Sequence, residues 1–438
     1  MKLKKLAVSA ALATASTMAF ATDGYFAHGY GMKAKGMGGA ATAMASDAMG
    51  GANNPASMVW AGDRLDIGLD FFAPKRKISR TGATAGGLNG EATSDSNLHY
   101  VPELGFNKML GWDMSFGVTV YGNGGMNTDF PGDQNASGGG NMCGAGFGAT
   151  WARSNLLCGN GRLGVDLMQV VVAPTFAMKI NKQHSVGVSV LLAHQQFKAT
   201  GIQSFAGFSE TAANLSNLGR DKSNGVGLRL GWMGQLSDKV TMGAAYSPKT
   251  KMSKFDLYKG LFADGGVFDL PENWNVGVAF KPNDTWTVAA DYQVINYGGV
   301  TSIGNPSTNG GATVPGTLGG AGDRGFGWSN VDVIKLGVEY KYNNAVTVRA
   351  GYNHSKNPIQ ARDVTFNFLA PGVIKDHMTL GVTYNVSKDS ELTLAYMHAF
   401  KNSVTGSSLF NTFTGNTAGT DKIEMSQDSF GIAYGIKF

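Results

Sequence analysis

Three groups of residues in this sequence have types and spacing suited to chemistry. The first is a pair of thiols, Cys143 and Cys158, in a stretch that also carries Phe147, Trp151, Arg153, Leu156, Leu157 and Arg162. In an oxidising compartment such a pair joins as a disulfide, and closing a loop of this size restricts the unfolded chain by roughly 3 kcal/mol in the entropic account. A thiol metal site is the alternative, and no histidine lies nearby in sequence to complete it. The arginines place guanidinium donors beside apolar side chains, an arrangement for a carboxylate or for a lipid phosphate. The second group is His354-Ser355, the residue types of a hydrolase; neighbours on one strand point to opposite faces, and no orienting acid is evident. The third, Gly29-Tyr30-Gly31 followed by Ala34, mimics a dinucleotide fingerprint without the preceding strand of a βαβ unit. Neither catalysis, a cofactor nor a metal is expected.

The elements that must hold these residues are strands. At the C-terminus Phe430, Ile432, Tyr434, Ile436 and Phe438 alternate with Ser429, Gly431, Ala433, Gly435 and Lys437. Period-two alternation ending on an aromatic suits a strand whose outer face meets lipid. The other end carries Lys2, Lys4 and Lys5, an apolar stretch from Leu6 to Phe20, and small residues at Ala19 and Ala21. That is the pattern of a secretory signal peptide over residues 1–21, cleaved after Ala21. Beyond it the best apolar run, Val170 to Met178, is broken by Pro174 and is too short for a spanning helix. Yet 43% of residues are hydrophobic and 63 are glycine, which fits many strands whose two faces meet different surroundings.

About fourteen segments alternate, an even number of the kind bacterial membrane barrels use. Among the clearest are Leu65/Ile67/Leu69/Phe71, Val226/Leu228/Leu230/Trp232 and Ile334/Leu336/Val338/Tyr340. Their other faces carry Asp66, Asp70, Arg229, Lys335, Glu339 and many glycines, and these should line a lumen. The expected fold is all-β, a 14-stranded antiparallel transmembrane β-barrel over residues 64–438. Short links at Met109 to Trp112, Asn181 to His184, Ser237 to Lys239, Lys281 to Thr285, Tyr342 to Ala345 and Ser387 to Ser390 read as periplasmic turns. Long Gly/Ser/Asn-rich segments at 122–166, 198–223, 298–329 and 402–426 read as extracellular loops. Lys239 to Lys259, with Tyr246-Ser247-Pro248 inside it, reads as one kinked strand, since splitting it would make the count odd.

Residues 22–63 do not alternate. They are small, glycine-rich and methionine-rich, and a barrel this wide cannot fill its interior with its own side chains. The segment is the available plug. Within it, Gly36-Met37-Gly38-Gly39-Ala40, Asp47 and then Asn54-Pro55-Ala56, just before the first strand, resemble the hatch of the FadL-type transporters of long-chain fatty acids and aromatic hydrocarbons. The layout of the whole mature chain is similar too. The resemblance implies that outer loops capture hydrophobic molecules, that a hatch blocks the lumen, and that release is sideways through an inward kink in the third strand. That strand is Asp113 to Tyr121 here, with Gly117 and Gly122 as the positions where a kink forms cheaply. The resemblance also points to an N-terminal aromatic reaching into the binding pocket, and leaves Tyr25 and Phe26 both open.

Phe147, Trp151 and Leu157 of the first long loop, with Phe205, Phe208, Ala212, Leu215 and Leu218 at helical spacing in the second, would make an apolar capture groove, or else pack on the barrel rim. Arg153 and Arg162 stand at its wet end. The expected function is passive uptake of hydrophobic compounds across the bacterial outer membrane by a monomer. Its partners would be long-chain fatty acids, or aromatic or alkane hydrocarbons, with membrane lipid and lipopolysaccharide around it and no nucleic acid. The net charge of +5 includes the lysines of the signal, and the rest suits anionic headgroups. Two other readings stand beside it: a non-transporting adhesin or phage receptor, and a general polar porin favoured by Asp66, Arg229 and Glu339.

Overall fold

Alternation in the sequence becomes an outer and an inner face of a single closed sheet. The computed structural model describes residues 22–84, 88–133, 143, 154–308 and 317–438. The expected signal peptide, Phe147, Trp151 and Arg153 lie outside the described residues. The strands are β1 (Arg64–Thr81), β2 (Gly90–Thr93), β3 (His99–Met109), β4 (Met114–Asn127), β5 (Gly164–Lys179), β6 (His184–Thr200), β7 (Asp221–Ser237) and β8 (Val240–Ser247), then β9 (Asn273–Phe280), β10 (Trp286–Ile295), β11 (Val331–Lys341), β12 (Val346–Ser355), β13 (Asp376–Asn385), β14 (Ser390–Ser407) and β15 (Thr420–Lys437). Each pairs antiparallel with its neighbours, β15 closes on β1 from Arg64↔Lys437 to Thr81↔Thr420, and β2 pairs only with the upper end of β1. Leaving β2 aside, the wall has the expected fourteen strands. Outward positions such as Ile67, Phe116, Leu228, Ile334, Leu380 and Phe430 are exposed, while Asp66, Asp70, Arg229 and Lys335 are buried inside. Among the described residues no helix is long and apolar enough to cross a membrane.

Two expectations about strand ends fail for physical reasons. Lys239 to Lys259 is not one kinked strand: β8 stops at Ser247, Pro248 has no N–H to give the ladder, and Thr250 instead pairs with Leu270 in a long connection. The 402–426 segment is mostly strand, because β14 runs to Ser407 and β15 begins at Thr420. Above the apolar band the outer face turns polar, at Lys401, Ser403, Thr405 and Lys422, so its alternation fades while the backbone ladder continues. Strands β1, β14 and β15 have 18 residues each, well beyond the roughly 9–11 that span a bilayer. Strand pairing likewise trims two of the other long loops, 122–166 and 198–223, since β4 reaches Asn127, β5 starts at Gly164, β6 reaches Thr200 and β7 starts at Asp221, while 298–329 lies wholly between β10 and β11.

Residues 22–63 fill the lumen. They form short turns of helix, Met32–Gly36, Gly50–Asn53, Pro55–Ser57 and Met58–Ala61, laid against the inner wall. Gly38 and Gly39 adopt φ of +66° and +86°, and a Cβ on Gly39 would lie 1.7 Å from the His28 carbonyl oxygen. The wall answers with its own glycines, for a Cβ on Gly351 would lie 2.1 Å from the backbone N of Gly38. Strand glycines therefore mark where the plug touches the wall.

Candidate functional site

The plug is fastened by charge. Glu391 on β14 accepts hydrogen bonds from Lys33 of the plug and Arg64 of β1, both at 2.6 Å, and Arg64 in turn grips Asp66. Lys35 pairs with Asp70 at 2.7 Å, and Glu103 accepts from the Gly31 N–H. Across the lumen, Asp291 accepts from the Ala41 and Thr42 N–H groups and from the Thr42 hydroxyl. Asn54 is a clasp: its amide donates to the carbonyls of Thr42 and of Trp232 on β7, and its oxygen accepts from the Ala56 N–H. Pro55 and Ala56 then lie flat on Gly187 and Gly231. The hatch residues Gly36, Gly38, Gly39, Asn54, Pro55 and Ala56 all meet the wall or the fold of the plug in this way.

A second feature lies in the wall. Strands β3 and β4 pair from Met109↔Ser115 to Leu104↔Val120 and then part, although β3 continues alongside β1 up to His99. In β4, burial alternates up to Val120; from Tyr121 to Asn127 every residue is buried. The strand has turned inward. On its other side the register against β5 shifts between Gly122 and Gly124, a bulge at Asn123. Gly122 thus lies at the bend. Gly117 does not: its pairing with Asn107 and Thr175 is regular, and its missing side chain makes room for Met58 of the plug.

The N-terminal segment is seated on this bend. Phe26 pairs with Gly124, the Gly125 N–H donates to the Tyr25 carbonyl, and the Tyr30 hydroxyl donates to Asn123. A single hydroxyl, that of Tyr297, accepts from the Tyr25 and Phe26 N–H groups and donates to the Asp23 carbonyl at 2.6 Å. Burial pushes the Asp23 carboxyl up to about 6, against the pull of Lys335. Phe26, Tyr30, Tyr121, Leu191, Leu270 and Arg229 border a small space of about 30 Å³, room for little more than water. Of the two candidate aromatics, Phe26 faces this space, while Tyr25 packs among Tyr297, Trp328 and Phe268. Arg229 donates to Ser247, Asn273, Asn275 and the Asn53 carbonyl, all neutral acceptors.

Above the plug the loops meet in one apolar mass that includes Phe130, Leu157, Phe197, Phe205, Phe255, Trp328, Phe368 and Phe410. The expected groove is not an open one. Leu157 is 1% exposed and Phe205 is 7% exposed, with its ring on Phe366 and Phe410. Phe208 is half-buried against the same mass, and the second loop forms 3₁₀ turns, Gln203–Phe208 and Ala212–Asn214, in place of a helix. Arg80, fully buried, clamps this dome by gripping Asp421 with two donors, Leu156 with a third, and stacking over Phe410 at 4.5 Å. Cys143 and Cys158 are bonded, their Cα atoms 5.1 Å apart. Arg162 is exposed and pairs with Asp95 and Asp129 at the edge of an open polar vestibule of about 750 Å³. Leu98 and His99 on one side and Asn127 and Thr128 on the other line it, so it lies outside the place where β3 and β4 part.

His354-Ser355 does have an acid nearby, for His354 Nδ1 lies 2.7 Å from Asp376. The hydroxyl of Ser355 faces inward to the Ile374 carbonyl, so the pair is split by the wall. Sequence reasoning missed Lys33, Lys35, Glu391, Asp291 and Arg80. The lysines carried a signal, being the only Lys or Arg residues of 22–63; their acids sit on the wall, Asp70 on β1 and Glu391 far along the chain on β14.

A family model described as outer membrane protein transport protein (OMPP1/FadL/TodX) matches residues 7–438. The structure is similar to that of the toluene transporter TodX of P. putida, with a TM-score of 0.66 at 20% identity, covering 94% of this chain and 99% of that one. It is similar also to the toluene transporter TbuX of Ralstonia pickettii (TM-score 0.61, 18% identity, 94% and 99% covered). A FadL homologue of Pseudomonas aeruginosa aligns with a TM-score of 0.68 at 14% identity, over 94% and 99% of the two chains. At such identities the likeness is one of fold. Comparison with curated protein sequences gives no match.

Proposed function

Because this chain belongs to the outer membrane protein transport protein family (OMPP1/FadL/TodX), we propose that it takes up long-chain fatty acids across the outer membrane without an energy source. The steps are capture at the loop dome, passage past a displaced N-terminal segment, and sideways release at the bend of β4. The observation that carries this reading is the parting of β3 from β4 beyond Val120, closed from inside by Phe26. A strand that leaves its partner gives up ladder hydrogen bonds, and here the plug's own backbone replaces part of them at Gly124 and Gly125. Moving the N-terminal segment of the plug therefore opens the wall. An apolar chain entering the aromatic dome gains about 25 cal/mol per Å² buried and exchanges one apolar neighbour for another, which keeps release possible.

Two substitutions test it. Gly124→Val places a side chain where an added Cβ would lie 2.4 Å from the Tyr25 carbonyl oxygen, and Tyr297→Phe removes the hydroxyl that holds the segment. Both should speed entry of a fluorescent fatty acid into proteoliposomes while leaving entry of a small sugar unchanged. Equal gains for sugar would indicate a polar pore, and no change for either would leave a receptor barrel. Faster uptake of toluene alone would favour a hydrocarbon substrate.

A further inference from the structure

Along the inner face of β1 the cations Arg64, Arg76 and Arg80 share one column, and two of them are matched. Arg64 at the plug end holds Asp66 and Glu391, and Arg80 at the dome end holds Asp421. Arg76, four residues and about 13 Å below Arg80, is 3% exposed, and its Nε and Nη2 have no hydrogen-bond partner among the described residues. Its cross-strand partner on β15 is Met425, with Ile423 and Gln427 diagonal to it. Gln427 is itself half-satisfied: its Nε2 reaches only the Met425 sulfur and its Oε1 has no partner. Nearby acids are committed elsewhere, Asp421 to Arg80 and Thr365, and Glu424 to Lys401 and Lys422.

A guanidinium held dry without an anion costs several kcal/mol, a cost that methionine or leucine at the same position would avoid. Phe72 and Ile78 on the same face of β1 and Met425 across from it belong to the same continuous apolar mass as Phe26. We propose that Arg76 is the receptor for the anionic end of the transported molecule, a carboxylate whose hydrocarbon tail lies in the apolar mass leading down to the N-terminal segment. The planar donors would take both oxygens of the carboxylate, which an uncharged hydrocarbon cannot offer. This rests on the uptake reading above and narrows it to amphipathic acids. Arg229, whose acceptors are all neutral, would stand as a second station deeper in the lumen.

The test compares oleate with oleyl alcohol, the same chain without the charge, by displacement of a fluorescent probe from the detergent-purified full-length mature protein. Arg76→Gln should weaken oleate about tenfold or more and shift oleyl alcohol by less than about twofold, with Arg76→Lys retaining part of the preference. Parallel losses for both ligands, or none for either, would overturn the assignment while leaving uptake intact. Binding of neither ligand by the unaltered protein would instead sink the uptake reading and the assignment together. Should Arg76→Gln fail to fold, carbon-13 NMR of carboxyl-labelled oleate on the unaltered protein decides. A carboxyl paired with a guanidinium stays ionised to lower pH than one in detergent micelles, and identical titration in the two would overturn the assignment.

Discussion

The seam between plug and wall and the dome of loops above it occlude the same lumen by opposite chemistry. The seam is a set of buried ion pairs and charge-assisted hydrogen bonds, around Glu391, Asp70 and Asp291. The dome is a contiguous body of aromatic and aliphatic side chains with Arg80 and Asp421 set into it. A hydrocarbon tail can replace contacts of its own kind in the dome but has nothing to give Lys33 or Lys35, and one carboxylate cannot stand in for Glu391 and Asp70 together. The plug as a whole should therefore stay fastened during transport. Its first residues, Asp23 to Tyr30, are held by hydrogen bonds to Tyr297, Asn123, Asn53, Asn353, Lys335 and the bent strand, with no ion pair among the described residues, and are the part expected to yield.

The contrast can be broken most forcefully at Arg80. Arg80→Ala leaves Asp421 buried without its cation, and should cost about 3–5 kcal/mol and lower the thermal midpoint seen by circular dichroism. Arg80→Met with Asp421→Leu should recover most of that loss, because the surroundings are apolar; failure to recover would mean that the dome depends on the ion pair itself. At the seam, Glu391→Ala leaves Lys33 without its acid and Arg64 with Asp66 alone, and should weaken the plug by about 3 kcal/mol. In planar bilayers the ionic conductance should rise with the barrel still folded, and an unchanged conductance would show that Asp70 and Asp291 suffice. Cys143→Ser acts on the segment between β4 and β5, with an expected cost of about 2–3 kcal/mol from the freed loop. It should appear as faster proteolysis there without added conductance. The smallest effect belongs to Arg162→Ala, an exposed pair worth below about 1 kcal/mol, with oleate affinity unmoved. A selective loss of oleate in that variant would shift the carboxylate site from the lumen to the vestibule.

Much of the barrel was legible because lipid and lumen impose a period of two that no soluble loop needs to keep. The turns between Met109 and Trp112 or between Lys281 and Thr285 could be placed to within a residue or two, since apolar faces stop there on both sides. The upper ends of β14 and β15 were not legible, for above the apolar band both faces are polar or small and the ladder leaves no trace in the side chains. The bend in β4 was half legible. Glycines flagged the region, yet Gly117 and Gly122 look alike in sequence, and only the plug's Met58 behind the one and the shift of register at the other separate them.

The sequence by itself determined the class of fold, the direction in which each strand faces and the presence of a segment too irregular to be wall. Each of these follows from local periodicity and composition, which neighbouring residues carry on their own. Tertiary structure alone decided which charges are matched. Arg64, Arg76 and Arg80 read as equivalent positions of one strand, and apart from Asp66, the acid next to Arg64 on the same face, their partners lie on β14, on β15 or nowhere among the described residues. Pairing of buried charge depends on strands hundreds of residues apart being brought to hydrogen-bonding distance by closure of the barrel. No local pattern encodes that distance.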